Sequence, residues 1–166
     1  MTALNPFFTV RPGRPTLAAV LPELVVGEYP NPDDVVWLRD AHGVTAVVSL
    51  QDDADLASKN LRLRDVEAVH RDAGLALHRF PVADGDVEAL AAALPGIVAR
   101  VAALVDAGGR VYLHCNAGYN RAPTAAIAYL HACRGVPLAD AVAAMKACRP
   151  CVPYVRALDA CYPGRR

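Results

Sequence analysis

Cys115 and Arg121 are separated by five residues, and they stand between a short apolar run, Val111 to His114, and an alanine-rich one that continues to Leu130. The order is strand, tight polar loop, helix. A loop that curls around an anion can aim the thiol at its centre while the guanidinium closes the rim. The backbone amides of Asn116, Ala117, Gly118, Tyr119, Asn120 and Arg121 can all turn inward if the chain visits unusual dihedrals, and Gly118 permits one of them without a steric cost. A thiol that faces the free N–H groups and positive dipole end of the next helix, with an arginine beside it, sits where negative charge is favoured. Arg121 offers a planar fork that matches two oxygens of a phosphoryl group and strengthens as charge spreads over them. The chemistry implied is in-line attack of sulfur on phosphorus. The alternative, a small buried cysteine and a surface arginine, does not account for the strand, loop and helix around them.

Expelling an alkoxide from a phosphate ester calls for a proton donor. Pro81 to Asp86 follows a strand and leaves the sheet at the same edge as the Cys115 loop, so Asp84 or Asp86 can supply it. Asp86 also suits the N-cap of a helix beginning at Val87, with Glu88 favouring its positive end. Asp52, Asp53 and Asp55 lack a companion set of ligands and read as a solvated loop rather than a metal site. His78 and His131 are isolated and carry no metal reading, and His114 is expected to buttress the loop. Cys148 and Cys151 form a C-x-x-C without the second half of a metal site, and Pro150 marks a helix end there. Trp37, on an apolar helical face, is expected in the core.

His114-Cys115-Asn116-Ala117-Gly118-Tyr119-Asn120-Arg121 resembles the H-C-x5-R signature of the cysteine-dependent dual-specificity phosphatases. Cys-Asn-Ala-Gly and Arg-Ala-Pro resemble more narrowly the laforin-like and plant glucan phosphatase branch. Weaker similarity runs from Leu24 to Cys161. Asn120 departs from the Gly usual in that branch. Ala122 departs from the Ser or Thr of many dual-specificity enzymes, although the plant glucan enzymes are Ala-like there, and Thr124 is not assumed to be a substitute. The resemblance selects Asp84 as the acid, six residues before Leu90, and implies Cys115 as nucleophile, Arg121 as phosphate ligand and no metal or other cofactor. It also places the segment around Arg149 beneath the phosphate loop, from where Arg149 would help form the rim of the anion pocket.

The elements that must position these groups can be read from pattern. Leu17 to Val20 and Leu24 to Val26 are short strands broken by Pro22. Asn31 is an N-cap and Pro32 the first position of a helix ending near Gly43. Val44 to Leu50 is a continuous apolar run of the kind found in a central parallel strand. A helix at Leu61 to Ala73, a strand at Leu75 to Phe80, and a long helix at Val87 to Val105, bent or offset at Pro95-Gly96, precede the Val111 to Leu113 strand. Helices at Thr124 to Cys133, Leu138 to Cys148 and Tyr154 to Cys161 complete the chain.

This alternation predicts a single α/β domain with a central, mainly parallel twisted sheet and helices on both faces, the site lying beyond the strand C-termini; the resemblance implies the dual-specificity phosphatase fold. Residues 1–15 read as an extended N-terminal arm and 16–166 as the catalytic domain. With 17 Lys and Arg against 17 Asp and Glu, no general field draws the chain to nucleic acid or an anionic membrane, and phosphate affinity must be local. Five cysteines without framework spacing, no secretory pattern and no apolar run judged long enough to span a bilayer give the expectation of a soluble cytoplasmic protein. The expected partner is a phosphorylated substrate, glucan or phosphoprotein. A phosphate-binding module without turnover is the reading of another class, motivated by Asn120 and Ala122.

Overall fold

A computed structural model describes residues 13–164. Residues 1–12 of the expected arm lie outside the described residues. Arg14 and Pro15 lie against the domain: Pro15 is buried, and Arg14 pairs with Asp34 at 3.1 Å and stands over the Trp37 ring.

The sheet is built from β1 (Leu17–Leu21), β2 (Leu24–Gly27), β3 (Ala46–Ser49), β4 (Ala76–Arg79) and β5 (Val111–His114), in the order β1-β2-β5-β3-β4. β1 and β2 form an antiparallel hairpin, and every other pairing is parallel. β5, the central strand, is buried along its whole length. That is why Val111 to His114 reads as a continuous run rather than an alternating one.

The two faces of β5 and its neighbours serve different helices. Val26, Val48 and Leu113 face α4 (Val87–Asp106), α5 (Arg121–Arg134), α6 (Leu138–Cys148) and α7 (Val155–Cys161) in the larger core. Val25, Val47 and Tyr112 face the other way, against Val35 and Leu38 of α1 (Pro32–His42) and α3 (Leu63–Asp72). Each such side chain taken fully from water stabilises the fold by roughly 1.5–3 kcal/mol. Trp37 is only half-buried at the edge of this smaller core, with Arg14 over its ring and His42 meeting it in an edge contact.

Local chemistry sets the element ends. Gly43 terminates α1 with φ 64°, the left-handed geometry of a helix stop. A short helix, α2 (Asp53–Ser58), occupies the acidic stretch that reads as a solvated loop. Asp52 caps it by accepting the Asp55 N–H at 2.8 Å, and Asp55 returns the bond by accepting the Asp52 N–H at 2.9 Å. α4 runs unbroken through Pro95, which cannot donate to the Ala91 carbonyl; the Cys161 thiol takes over that role at 3.1 Å. α4 is 20 residues long and contains an 18-residue stretch with a mean hydropathy of 1.7, long and apolar enough to cross a membrane, contrary to the expectation from sequence. Its Leu90, Leu94, Ile97, Val98 and Val101 are buried in the larger core, while most of its other residues are exposed or partly exposed, so one face of the helix packs on the domain.

Candidate active site

The parallel register aligns Ser49 with His114 and Arg79 with Ser49, so β3, β4 and β5 end side by side. The loops that follow them therefore meet at one place. Cys115, Asn116, Ala117, Tyr119, Asn120 and Arg121 line a small cleft there, and Asp84 closes it from the loop after β4. These are the residues singled out by sequence, with one exception in placement. Gly118, at φ 62°, turns its Cα toward β2: a Cβ there would stand 2.5 Å from the Gly27 carbonyl oxygen. Gly27 is equally constrained, since a Cβ on it would stand 2.3 Å from the Tyr112 hydroxyl. Two glycines thus let the loop lie flat on the sheet's end.

Arg149 lies beneath the loop rather than on its rim. Its guanidinium donates to the carbonyls of Thr16, Val26 and Ala117 and to the Thr16 hydroxyl at 3.1–3.2 Å, and it does not line the cleft. Its charge braces β1, β2 and the loop together. His114 Nδ1 is 2.9 Å from the Cys115 carbonyl, the buttress anticipated from its position.

Arg121 is 2 % exposed, and its orientation comes from a residue that sequence reasoning passed over. Asp55, itself buried on α2, accepts from Nη1 at 2.6 Å and lies 3.4 Å from Nη2. Nη1 also donates to the Val82 carbonyl at 2.7 Å. The same carboxylate accepts the Asn116 side-chain amide at 2.7 Å, and Gln51 donates to the Asn116 side-chain oxygen at 2.8 Å. Burial opposes the charge on both partners. Their bonding to each other overcomes it, so Asp55 is held below the usual carboxylate range and Arg121 above its ordinary value. The capping pattern Asp52-x-x-Asp55 was a sequence signal for the helix, though not for the partner.

With one edge of the fork fixed, the other is left for a ligand. Arg121 Nε is buried without a hydrogen-bond partner, and Asp84 Oδ1 is 3.5 Å from it. A buried cationic N–H beside a thiol is an oxyanion site waiting for an acceptor. Asp84 is 62 % exposed, whereas the Asp86 carboxylate is engaged with the Ala89 N–H at 2.9 Å, as a cap. Geometry therefore separates the two candidate acids. Asp84→Asn is expected to slow esters with poor leaving groups about 10²-fold or more while barely affecting activated aryl phosphates. Asp86→Asn should instead cost about 1 kcal/mol of stability. Initial rates across a leaving-group series, with melting curves for both variants, check this; the reverse pattern would move the role to Asp86.

A family model described as the dual specificity phosphatase catalytic domain matches residues 29–156. The chain belongs to the dual-specificity phosphatase family. It is 30 % identical over 142 residues to the amyloplastic phosphoglucan phosphatase DSP4 of Castanea sativa, covering 84 % of this chain and 38 % of that one. It is 28 % identical over 123 residues to laforin of Mus musculus, covering 68 % and 37 %. The chain thus spans well under half the length of these curated relatives. Among solved structures, human DUSP28 superposes with a TM-score of 0.65 at 27 % identity, covering 90 % of this dual-specificity phosphatase chain and 94 % of that one. The active form of Tk-PTP superposes at 0.72 with 22 % identity, covering 87 % and 95 %, a likeness of fold.

Proposed function

We propose that the chain hydrolyses phosphomonoesters through a cysteinyl-phosphate intermediate and that its preferred substrate is a phosphorylated glucan. The observation that carries the hydrolase reading is the buried Nε of Arg121, which has no hydrogen-bond partner and only the Asp84 carboxylate 3.5 Å away, in the cleft it shares with Cys115. In the first step the Cys115 thiolate forms a bond to phosphorus as the ester P–O bond breaks, and Asp84 gives its proton to the departing oxygen. Arg121 and the loop amides hold the equatorial oxygens, and Asp55 keeps the fork from rotating away. Asp84, now a carboxylate, takes a proton from water as that water attacks phosphorus, and the S–P bond breaks to restore the thiolate.

The glucan preference is supported by likeness to a phosphoglucan phosphatase and to laforin, and by the rim of the cleft. Among the described residues, the exposed large hydrophobic side chains are Val36, Tyr119, Val152 and Val155. Tyr119 lines the cleft, Val152 is joined to it through a 2.8 Å backbone bond to the Tyr119 carbonyl, and Val155 follows shortly after on α7. An aromatic ring flanked by apolar surface suits the C–H face of a sugar ring. Phosphate release from solubilised amylopectin or glycogen should exceed release from matched phosphotyrosyl peptides in kcat/KM. Tyr119→Ala should lower the glucan value about five- to ten-fold, the scale of one aromatic contact, and a small aryl phosphate less. Efficient phosphopeptide turnover without glucan turnover would favour a protein phosphatase, and phosphate binding without any turnover a silent module.

A further inference from the structure

We infer that Gln51 is a positioning residue for phosphate binding: its side-chain amide holds Asn116 in the one orientation that the Asp55 carboxylate can accept, and so keeps the Arg121 fork and the start of the phosphate loop together. This rests on Arg121 being the phosphate ligand.

The sheet brings Gln51 to the loop. Ser49 on β3 is aligned with His114 on β5, and the Leu50 N–H continues the pairing to the His114 carbonyl at 2.9 Å. Gln51 and Asn116 each lie two residues beyond the aligned pair, so they meet. Gln51 is 3 % exposed, and its main chain is held from the opposite side by Arg79, at the end of β4, which donates to its carbonyl at 3.1 Å. Asn116 is the first loop residue after Cys115 and lines the cleft, and its own carbonyl accepts the Tyr29 N–H at 2.9 Å.

Asp55 decides which way the bonds between them run. Paired with Arg121 at 2.6 Å it is ionised, and an ionised carboxylate only accepts. Asn116 must therefore turn its amide nitrogen to Asp55, at 2.7 Å, which leaves its oxygen facing Gln51. That oxygen needs a donor, and the Gln51 amide nitrogen supplies one at 2.8 Å. An acceptor at position 51 would draw the Asn116 amide over and set its oxygen against the Asp55 carboxylate, at the point where Asp55 orients Arg121. A carboxyl introduced there would be buried beside the Asp55 carboxylate, and both conditions hold its proton to higher pH than usual; Asp52 and Asp53 in the same segment act in that sense, and Arg79 from β4 and Arg121 from α5 in the other.

The test uses the full chain and two substitutions of similar size, each read by titration with inorganic phosphate, by melting curves and by kcat/KM across a leaving-group series. Gln51→Met keeps the volume and loses the donor, so phosphate affinity and kcat/KM should fall about three- to ten-fold at every pH, the weight of one hydrogen bond. Gln51→Glu keeps the shape and reverses the polarity once it ionises. At about pH 8 both quantities should fall roughly 10- to 100-fold below wild type; at about pH 5.5, where the introduced carboxyl carries its proton and can donate it to the Asn116 oxygen, they should come within about three-fold of wild type at the same pH. A side chain that only fills space would give no such trend. In both variants the loss should be alike for all leaving groups. Wild-type phosphate affinity in Gln51→Met, a Gln51→Glu deficit independent of pH, or a loss confined to poor leaving groups would overturn the inference, and if Gln51→Glu does not fold, Gln51→Met still decides it. A wild-type chain that binds phosphate but hydrolyses no ester removes the hydrolase reading and leaves the phosphate titrations to decide this one; a chain that binds no phosphate removes both.

Discussion

Cys115→Ser is expected to reduce hydrolysis of an aryl phosphate by roughly 10⁴-fold or more while leaving the binding of inorganic phosphate within a few-fold of wild type. The two readouts part because they draw on different atoms. Turnover needs a sulfur nucleophile, and a serine hydroxyl in the same place has no adjacent base to activate it. Binding draws on the loop amides and on Arg121, whose fork is oriented by Asp55 and the Val82 carbonyl rather than by the thiol. Single-turnover kinetics with calorimetric titration of phosphate check the pair. The rate should also be indifferent to EDTA, since the nucleophile and the charge stabilisation are both assigned to the protein. Wild-type turnover by Cys115→Ser would remove the cysteinyl-phosphate mechanism altogether.

Asp55→Ala is expected to damage both stability and catalysis, although Asp55 does not line the cleft. Its carboxylate accepts from Arg121, from the Asn116 side chain and from the Asp52 N–H, so little of its capacity is unused. Removing it strands the Arg121 charge in a site that is 2 % exposed, a loss of about 3–5 kcal/mol for a broken buried pair. For a chain of this length that corresponds to a fall in Tm of about 10 °C. The freed guanidinium should also present Nε poorly, lowering kcat/KM for every leaving group alike, unlike Asp84→Asn. A Tm within about 2 °C of wild type would show that the pair contributes little.

The same pair sets a pH dependence whose sign follows from Asp55. Its folded-state carboxyl is held below the ordinary value of about 3.9. Its contribution is therefore complete above the unfolded value and is lost as pH falls through the lower folded one. Asp55→Asn should flatten that part of the acid unfolding limb, below about pH 4, and leave neutral pH free of any new slope.

What the sequence determined by itself was the local material. The Cys115 to Arg121 loop, the strand before it and the helix after it are contiguous, so their apolar runs, Gly118 and Pro123 signal strand, turn and helix through short-range sterics. Gly43 at a helix end and Asp86 at a helix start were legible for the same reason: a cap acts within one turn of its own helix. Arg149 was expected beneath the loop, but its turn away from the rim toward the Thr16, Val26 and Ala117 carbonyls depended on the β1-β2 hairpin being there to receive it. Asp55 was out of reach of sequence reasoning. It lies 66 positions from Arg121, and a carboxylate among other aspartates reads as solvated. Only the parallel pairing of β3 with β5, Ser49 opposite His114, brings the residues just beyond both strands together. There the low-dielectric interior turns a surface-like aspartate into the partner without which the buried Arg121 charge could not be held.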